Sequence, residues 1–346
     1  MRKSRQVMVG GVPVGGGARV TVQSMLNVPA DDVAGSVAQA KRLADAGCEI
    51  LRTAIPDEKA LALIPAIREA VSVPLVADIH FDYRLALGAA EAGVDAVRIN
   101  PGNIGSDERV GAVAACCAKK RVPIRIGVNS GSVQKSILEK YGGPTPEALA
   151  ESALYHASLL EKFDFRDIVL SIKSSDVNTM IRANEIVAER CDYPLHLGVT
   201  EAGPERIGLI KSAVGIGTLL RNGIGDTIRV SLTADPECEV EAGVDLLKAL
   251  GLRGGVRIVS CPTCGRTKID LISIASEVEK RLAGCQKDIT VAVMGCAVNG
   301  PGEAREADVG IAGGDGCGLI FKKGEIVRRV PENELIDGLM EEIENL

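Results

Sequence analysis

Asp45–Arg52 reads DAGCEILR and Glu91–Arg98 reads EAGVDAVR. Both stretches say the same thing. An acid-Ala-Gly ends a helix, and a short apolar run then closes on an arginine. The glycine is expected just past the helix end, where the chain turns left-handed. Outward from these two hinges the pattern repeats. Apolar, β-branched runs lie at Arg19–Ser24, Glu49–Ile55, Pro74–His80, Ala96–Asn100, Pro123–Val128, Asp167–Lys173, Pro194–Thr200 and Thr227–Thr233. Helical patterns separate them, as at Val33–Ala46, Ser106–Lys120 and Pro146–Lys162. Nearly continuous apolar strands alternating with helices mean parallel strands covered by helices. Eight such units in about 230 residues predict an α/β fold, a closed (β/α)8 TIM-type barrel over residues 1–250. A doubly wound open sheet is the alternative.

After about Leu250 the rhythm changes. Gly251–Gly255 (GLRGG) reads as a linker. A short strand follows, ending in Cys-Pro-Thr-Cys. Then come a helix (Lys268–Leu282), a strand (Ile289–Met294) and a Gly/Pro loop. Short strands at Val309–Ala312, Gly318–Phe321 and Glu325–Val327 precede a terminal helix, Glu332–Asn345. Residues 251–346 therefore read as a small α+β domain.

The 346 residues are 46% hydrophobic and 25% charged, a balance that excludes a disordered chain. No apolar run reaches the ~20 residues a membrane helix needs. The basic start, MRKSRQVMVGGVPVGGG, breaks into glycines before a secretory signal could form. A cytoplasmic protein that engages no membrane is expected. With net charge −6, no Trp, four Tyr and four Phe, the chain lacks both the charge and the stacking platforms for nucleic acid.

In a barrel, chemistry sits at the carboxyl ends of the strands. Those ends carry Arg52 after the second strand, Asp78 and His80 after the third, and Arg98 and Asn100 on the fourth. Arg125 and Asn129 belong to the fifth, Lys173 with Ser171, Ser174 and Ser175 to the sixth. The seventh carries His196, Thr200 and Glu201, the eighth Arg229 and Ser231. Five of these are cations, and burying an unpaired cation is expensive. Only Asp78 and Glu201 are obvious carboxylates to offset them. A positive surplus at one mouth predicts an anionic ligand with more than one phosphate. The loop Pro101–Ser106 (PGNIGS), leading into a helix, adds amides to that mouth. Glu201 is either a salt-bridge partner of these cations or a general acid. For His80 and His196 the plainer reading is a hydrogen-bonding core histidine.

Ten cysteines are many for such a chain. Cys48, Cys116, Cys117, Cys191, Cys238 and Cys285 read mostly as small buried hydrophobes, and Cys317 stays open in a glycine-rich loop. Cys261 and Cys264, at one strand exit, and Cys296, at another, can converge on one metal centre. A redox disulfide, a zinc half-site and an iron–sulfur half-site are the candidates for C-x-x-C. A matching N-terminal βαβ fold for the first is absent, and zinc lacks an obvious fourth ligand beyond Cys285 or Cys317. The Gly/Pro-rich loop around Cys296 suits a thiolate–iron cluster, whose sulfurs accept backbone hydrogen bonds. Glu303, seven residues on, is either a surface charge or a fourth, oxygen ligand that substrate can displace.

These residues carry a resemblance. SCPTCGRT (Ser260–Thr267) with VMGCAVNGPGEAREADVGIAGG (Val293–Gly314) closely resembles the 4-hydroxy-3-methylbut-2-enyl diphosphate synthases of isoprenoid biosynthesis. VQSM (Val22–Met25), ADIHFDYRLA (Ala77–Ala86), VRINPGNIG (Val97–Gly105), IRIGVNSGS (Ile124–Ser132) and VTEAG (Val199–Gly203) resemble them too. The resemblance runs over the whole chain and is to the short bacterial form. It implies a barrel that binds 2-C-methyl-D-erythritol 2,4-cyclodiphosphate through Arg52, Asp78, His80, Arg98, Asn100, Arg125, Asn129, Lys173, Arg229 and Ser231. It implies a [4Fe–4S] cluster held by Cys261, Cys264, Cys296 and Glu303. The implied reaction is a two-electron reductive ring opening with loss of water, with Glu201 as proton donor. Reduced flavodoxin or ferredoxin would supply electrons. The implied assembly is a head-to-tail homodimer in which one chain's cluster domain caps the other chain's barrel.

Overall fold

The structure, a computed structural model, describes residues 2–285, 287–297, 302, 304–314 and 316–346. The chain forms two compact units, Met1–Leu250 and Gly251–Leu346.

The first unit opens with a hairpin that the strand pattern did not anticipate. β1 (Gln6–Val9) and β2 (Val12–Gly15) pair antiparallel across the Gly10-Gly11 turn. Its Val9 and Val14 pack on Ile50, Val76 and Ala96, at the amino-terminal ends of three barrel strands. The hairpin thus plugs the end of the barrel opposite the chemistry. Its strands are only four residues each, and the flanking glycines mask their alternation.

Eight parallel strands follow: β3 (Thr21–Met25), β4 (Ile50–Ala54), β5 (Leu75–Asp78), β6 (Ala96–Ile99), β7 (Ile124–Asn129), β8 (Ile168–Lys173), β9 (His196–Leu197) and β10 (Thr227–Ile228). Every apolar run read from the sequence overlaps one of them, β3 and β7 each extending one residue past its run. Neighbours run β8-β7-β6-β5-β4-β3-β10-β9. A parallel bridge between Leu170 and Leu195, with Leu170 N donating to Pro194 O at 2.9 Å, joins the two ends. The sheet closes, which decides the barrel over the open sheet. β9 and β10 are shorter than their apolar runs, though Arg229 N still donates to Leu197 O at 2.9 Å just past them.

The helices Val33–Asp45, Asp107–Lys120 and Pro146–Glu161 begin and end within a residue of their sequence patterns. Local chemistry fixes their starts. The Asp32 carboxylate accepts from Gly35 N at 2.8 Å. Thr145 Oγ1 accepts from Ala148 N, with Pro146 in the first turn, where its missing N–H costs nothing.

The second unit is a five-stranded mixed sheet in the order β11 (Arg257–Ser260), β12 (Thr290–Met294), β13 (Val309–Gly313), β14 (Cys317–Lys322), β15 (Glu325–Pro331). The first three are parallel, the last two antiparallel. The β14–β15 hairpin turns through Lys323 and Gly324, both at positive φ. Val291, Val293, Val309, Ile311 and Ile320 pack against Val278 of the helix Leu271–Arg281 and Leu335 and Leu339 of the helix Leu335–Glu344. Among the described residues no helix is long and apolar enough to cross a membrane.

Candidate active site

Side chains alternate along each barrel strand, so every second residue points inward. Near the carboxyl ends the inward positions are polar. They line a cavity of about 140 Å³ made by Arg52, Arg98, Arg125, Gly127, Val128, Asn129, Ser171, Lys173, Thr200, Arg229 and Ser231. All five cations named from the sequence therefore meet in one place, with Asn129 and Ser231.

Two glycines make the crowding possible. A Cβ on Gly127 would overlap the Arg98 guanidinium, and one on Gly198 would stand 2.8 Å from Lys173 Nζ and 2.7 Å from Arg229 O. Any side chain at either position would evict a cation. The sequence offered no signal for this role beyond a glycine inside a strand.

The cations are neutralised unevenly. Asp78 is buried behind them: its Oδ2 lies 2.6 Å from Arg52 Nη2, its Oδ1 3.2 Å from Arg98 Nη1. Burial alone would raise this carboxyl, but Arg52, the His80 hydrogen bond and Arg98 hold it well below the usual carboxylate range. Arg229 has its own carboxylate, Glu239, whose Oε2 sits 3.3 Å from Nε and 3.2 Å from Nη2. Glu239 comes from the helix Pro236–Ala249 and is 4% exposed. It was missed because, in sequence, it is one acid among several on an amphipathic helix. Among the described residues Arg125 has only the neutral Gln23, whose Oε1 accepts from Nη1, while Nη2 has no partner. Lys173 is half-buried and, among the described residues, has no carboxylate in contact; burial and then the charges of Arg229, Arg52 and Arg125 push its pKa well down. Arg125 is pushed well down too, by burial first and then by the charges of Arg52 and Arg98. Five cations against two carboxylates leave three surplus positive charges among the described residues. A cavity built this way demands an anion.

Five candidates stand off the cavity lining. Asp78 lies beneath it. Asn100 is buried and caps the next turn, its Oδ1 accepting from Gly102 N at 3.1 Å. His80 is mostly exposed, 3.4 Å from Asp78, so the reading of it as a core histidine is corrected. His196 is buried, but neither ring nitrogen has a partner; it is not a hydrogen-bonded core histidine. Burial and the surrounding cations Arg125, Lys173, Arg52 and Arg229 keep it neutral. Glu201 is exposed at the exit of β9, with φ +52°. A glutamate held in that left-handed region is strained, and such strain concentrates where a side chain must be aimed.

In the second unit, β11 and β12 pair in parallel with Ser260 opposite Val293. Cys261 and Cys296 therefore leave the same end of adjacent strands. Cys261 Sγ accepts from Gly295 N at 3.2 Å. Cys264 is exposed, and the Arg266 backbone N–H with the Thr267 hydroxyl lowers its pKa. Thiolates stabilised by amide and hydroxyl donors are the donor chemistry a metal–sulfur group needs, so these residues fit one. Among the described residues no three His, Cys, Asp or Glu side chains are gathered as a ready-made ligand set; thiolate sites take their final arrangement from the bonds to the metal. Glu303 lies outside the described residues. Of the six other cysteines read as buried, Cys48 and Cys117 are, while Cys116, Cys191, Cys238 and Cys285 are only partly covered. They lie nearer the surface than their apolar neighbours suggested.

Fold and site together define a (β/α)8 barrel with a polyanion cavity at its chemical end, followed by a cysteine-bearing α+β unit. The chain belongs to the GcpE family: the GcpE TIM-barrel domain matches residues 4–244 and the GcpE protein C-terminal domain matches residues 257–345. It is 59% identical to the 4-hydroxy-3-methylbut-2-en-1-yl diphosphate synthase (flavodoxin) of Clostridium perfringens, over 100% of this chain and 99% of that one. It is 56% identical to the protein of the same name from Geobacter sulfurreducens, over 99% and 98%. Among solved structures, type I 3-dehydroquinate dehydratase from Clostridium difficile superposes with a TM-score of 0.53 at 14% identity, over 71% of this chain and 98% of that one. Yersinia pestis dihydropteroate synthase gives 0.52 at 13%, over 71% and 97%. These two likenesses speak for the barrel alone.

Proposed function

We propose that this protein is an oxidoreductase of isoprenoid biosynthesis that opens 2-C-methyl-D-erythritol 2,4-cyclodiphosphate reductively to 4-hydroxy-3-methylbut-2-enyl diphosphate. The observation that carries the reading is the barrel cavity with its uncompensated cations, in a chain that matches relatives of that name along its full length.

Arg52, Arg98, Arg125, Lys173 and Arg229 hold the two phosphates, with Asn129 and Ser231 as neutral donors. Fixing both phosphates orients the reacting carbons and removes the entropy of finding that pose. Asp78 holds Arg52 and Arg98 in a fixed pair, and Glu239 does the same for Arg229, so each guanidinium is aimed before ligand arrives. Asn100 shapes the loop after β6, and His80 sets the far side of Asp78. Glu201, at the rim, supplies the proton with which the hydroxyl departs as water. A [4Fe–4S] cluster, held by Cys261, Cys264, Cys296 and Glu303, would supply the electrons when bound. The carboxylate is the ligand most readily given up to substrate, being harder and weaker toward iron than thiolate. Reduced flavodoxin, or a ferredoxin in its place, delivers electrons one at a time. The protein works in the cytoplasm as a head-to-tail homodimer, residues 1–250 binding substrate and residues 251–346 carrying the cluster.

Iron and acid-labile sulfide, measured per chain on protein purified without oxygen, test this directly, followed by turnover of the cyclic diphosphate with reduced flavodoxin. About four of each, with product formed, is the expected result. Zinc without sulfide, or a complete cluster without turnover, overturns it.

A further inference from the structure

The cavity carries more positive charge than the proposed substrate can neutralise. Arg52 and Arg98 share Asp78, and Arg229 has Glu239, while Arg125 faces neutral Gln23 and Lys173 has no carboxylate in contact. The only histidine lodged among them, His196, is neutral. With all five cations charged, three positive charges remain unmatched among the described residues. Resting on the reading above, the ligand is a cyclic diphosphate. Each of its phosphates is closed on both sides, by a carbon ester and by the shared anhydride oxygen, and so carries one negative charge. The total is two. When the ring opens, the carbon–oxygen bond at one phosphate breaks and the electron pair stays on that oxygen. The freed phosphate becomes terminal and gains a second ionisation, with a pKa of about 6. The linear diphosphate then carries three negative charges.

We infer that the cavity is charge-matched to the ring-opened diphosphate rather than to the cyclic one, and that Arg125 and Lys173 are the cations that receive the charge appearing on the released phosphate. The balance of the reaction agrees. Cyclic dianion, two electrons from the reduced donor and one proton give water and a linear trianion. The single proton leaves in the water, so none is needed by the phosphate. Groups that bind the developing charge better than the starting charge lower the barrier, whereas groups that bind both equally only tighten substrate. Arg125 and Lys173 suit the first role because neither spends its charge on a resident carboxylate. A binding site meant only for the dianion would need one more acid, and the position for it exists: Gln23 already touches Arg125 and differs from glutamate by one atom.

The other ionisable groups facing these two cations are Arg52, Arg98, Arg229, Asp78, Glu239 and the neutral His196, with Glu201 and His80 at the rim. All of them act on both diphosphates, so the ratio of the two affinities isolates the ligand's own ionisation. The experiment is calorimetric titration of the oxidised holoenzyme, kept without reductant, with the cyclic and the linear diphosphate at several pH values. The linear form should bind about tenfold tighter at pH 7.5, and the ratio should fall about threefold by pH 5.5, as its terminal phosphate regains a proton. In Gln23→Glu, and separately in Lys173→Met, the ratio at pH 7.5 should move toward one. Equal affinities, or a ratio indifferent to pH in the wild-type protein, overturn the charge-matching while leaving the proposed substrate in place. Failure of both ligands to bind overturns the proposed substrate itself, and the inference with it. The wild-type titration decides the matter even if neither variant folds.

Discussion

Lys173 Nζ lies 2.8 Å from the point where a Cβ on Gly198 would stand. The ammonium occupies space that only glycine leaves free, and the carbonyl of Arg229, 2.7 Å from the same point, blocks any sideways shift. Gly198→Ala should therefore push Lys173 out of the cavity. Overpacking of this kind costs about 1–3 kcal/mol. The expected result is a lower melting temperature together with at least a tenfold weaker grip on the cyclic diphosphate. Normal affinity in a folded Gly198→Ala protein would show that Lys173 does not contact the ligand.

Asp78 neutralises two cations at once, so Asp78→Asn leaves Arg52 and Arg98 facing each other unshielded. Removing one member of a buried ion cluster costs about 3–5 kcal/mol. The pH dependence follows from the depressed carboxyl. An unfolded aspartate titrates near 4, so Asp78's contribution is complete above about pH 4 and is lost as pH falls through its lower folded value. Denaturant melts of wild type and variant should differ by a constant amount from about pH 8 to 5 and converge only in strong acid. A difference that already shrinks near pH 6 would mean that Asp78 is not clamped.

His156 was not singled out in the sequence, yet it braces the loop after β6. It lies on the helix Pro146–Glu161, its Nδ1 accepts from Gly102 N at 3.2 Å, and its Nε2 is 2.9 Å from the Gln134 amide. With Nδ1 accepting, the neutral ring carries its proton on Nε2, and the Gln134 side chain satisfies it only with the amide turned over, so that Oε1, otherwise without a partner, faces the ring. Burial lowers the imidazole pKa to about 4. The folded state therefore binds this proton less readily than the unfolded chain, whose histidine titrates near 6.5. Stability should rise with pH between about 4 and 6.5, by up to about 3 kcal/mol from this residue. In His156→Asn that rise should be smaller by the same amount. An unchanged slope would place the titration elsewhere.

How far residue patterns reach is visible in these same positions. The strands were legible because a parallel strand buried on both faces needs an unbroken apolar run, and each run in the barrel overlaps a strand. The five cations were legible because each charge inside such a run needs an anionic partner, and the strand ends offer too few carboxylates to pair all five. Their partners were not. Glu239 is an ordinary helix acid until the helix Pro236–Ala249 folds back on β10. Gln23 sits in VQSM with nothing to mark it as the neighbour of a residue 102 positions later. The β1–β2 hairpin escaped because its two strands are short and set among glycines. Pairings made by tertiary approach leave no local trace, whereas periodicity does.

Glu201 is strained at φ +52° and exposed at the rim, which sets it apart from the buried cations. Glu201→Gln keeps the shape and removes the acid. Affinity for the cyclic diphosphate should stay within about threefold of wild type, while the rate of product formation falls by about 10²–10⁴. A large loss of affinity at an unchanged rate would make Glu201 a structural salt-bridge partner instead. Glu201→Gly should relieve the strain, raising the melting temperature slightly while abolishing turnover.

The proposed head-to-tail dimer makes the sharpest claim about how the two units cooperate. If each active site joins one chain's barrel to its partner's cluster, a chain lacking Cys296 and a chain lacking Glu201 can complement. In a Cys296→Ser/Glu201→Gln heterodimer, the first chain's intact barrel meets the second chain's intact cysteines, and the other site has lost both. Random assortment makes half the dimers mixed, each with one working site, so about a quarter of wild-type turnover should return when the two inactive proteins are coexpressed. If instead each site is built within one chain, every chain in the mixture is defective and activity stays at the level of the parents. Titrating the ratio of the two chains adds a second reading: activity should peak at equal amounts and vanish at both extremes.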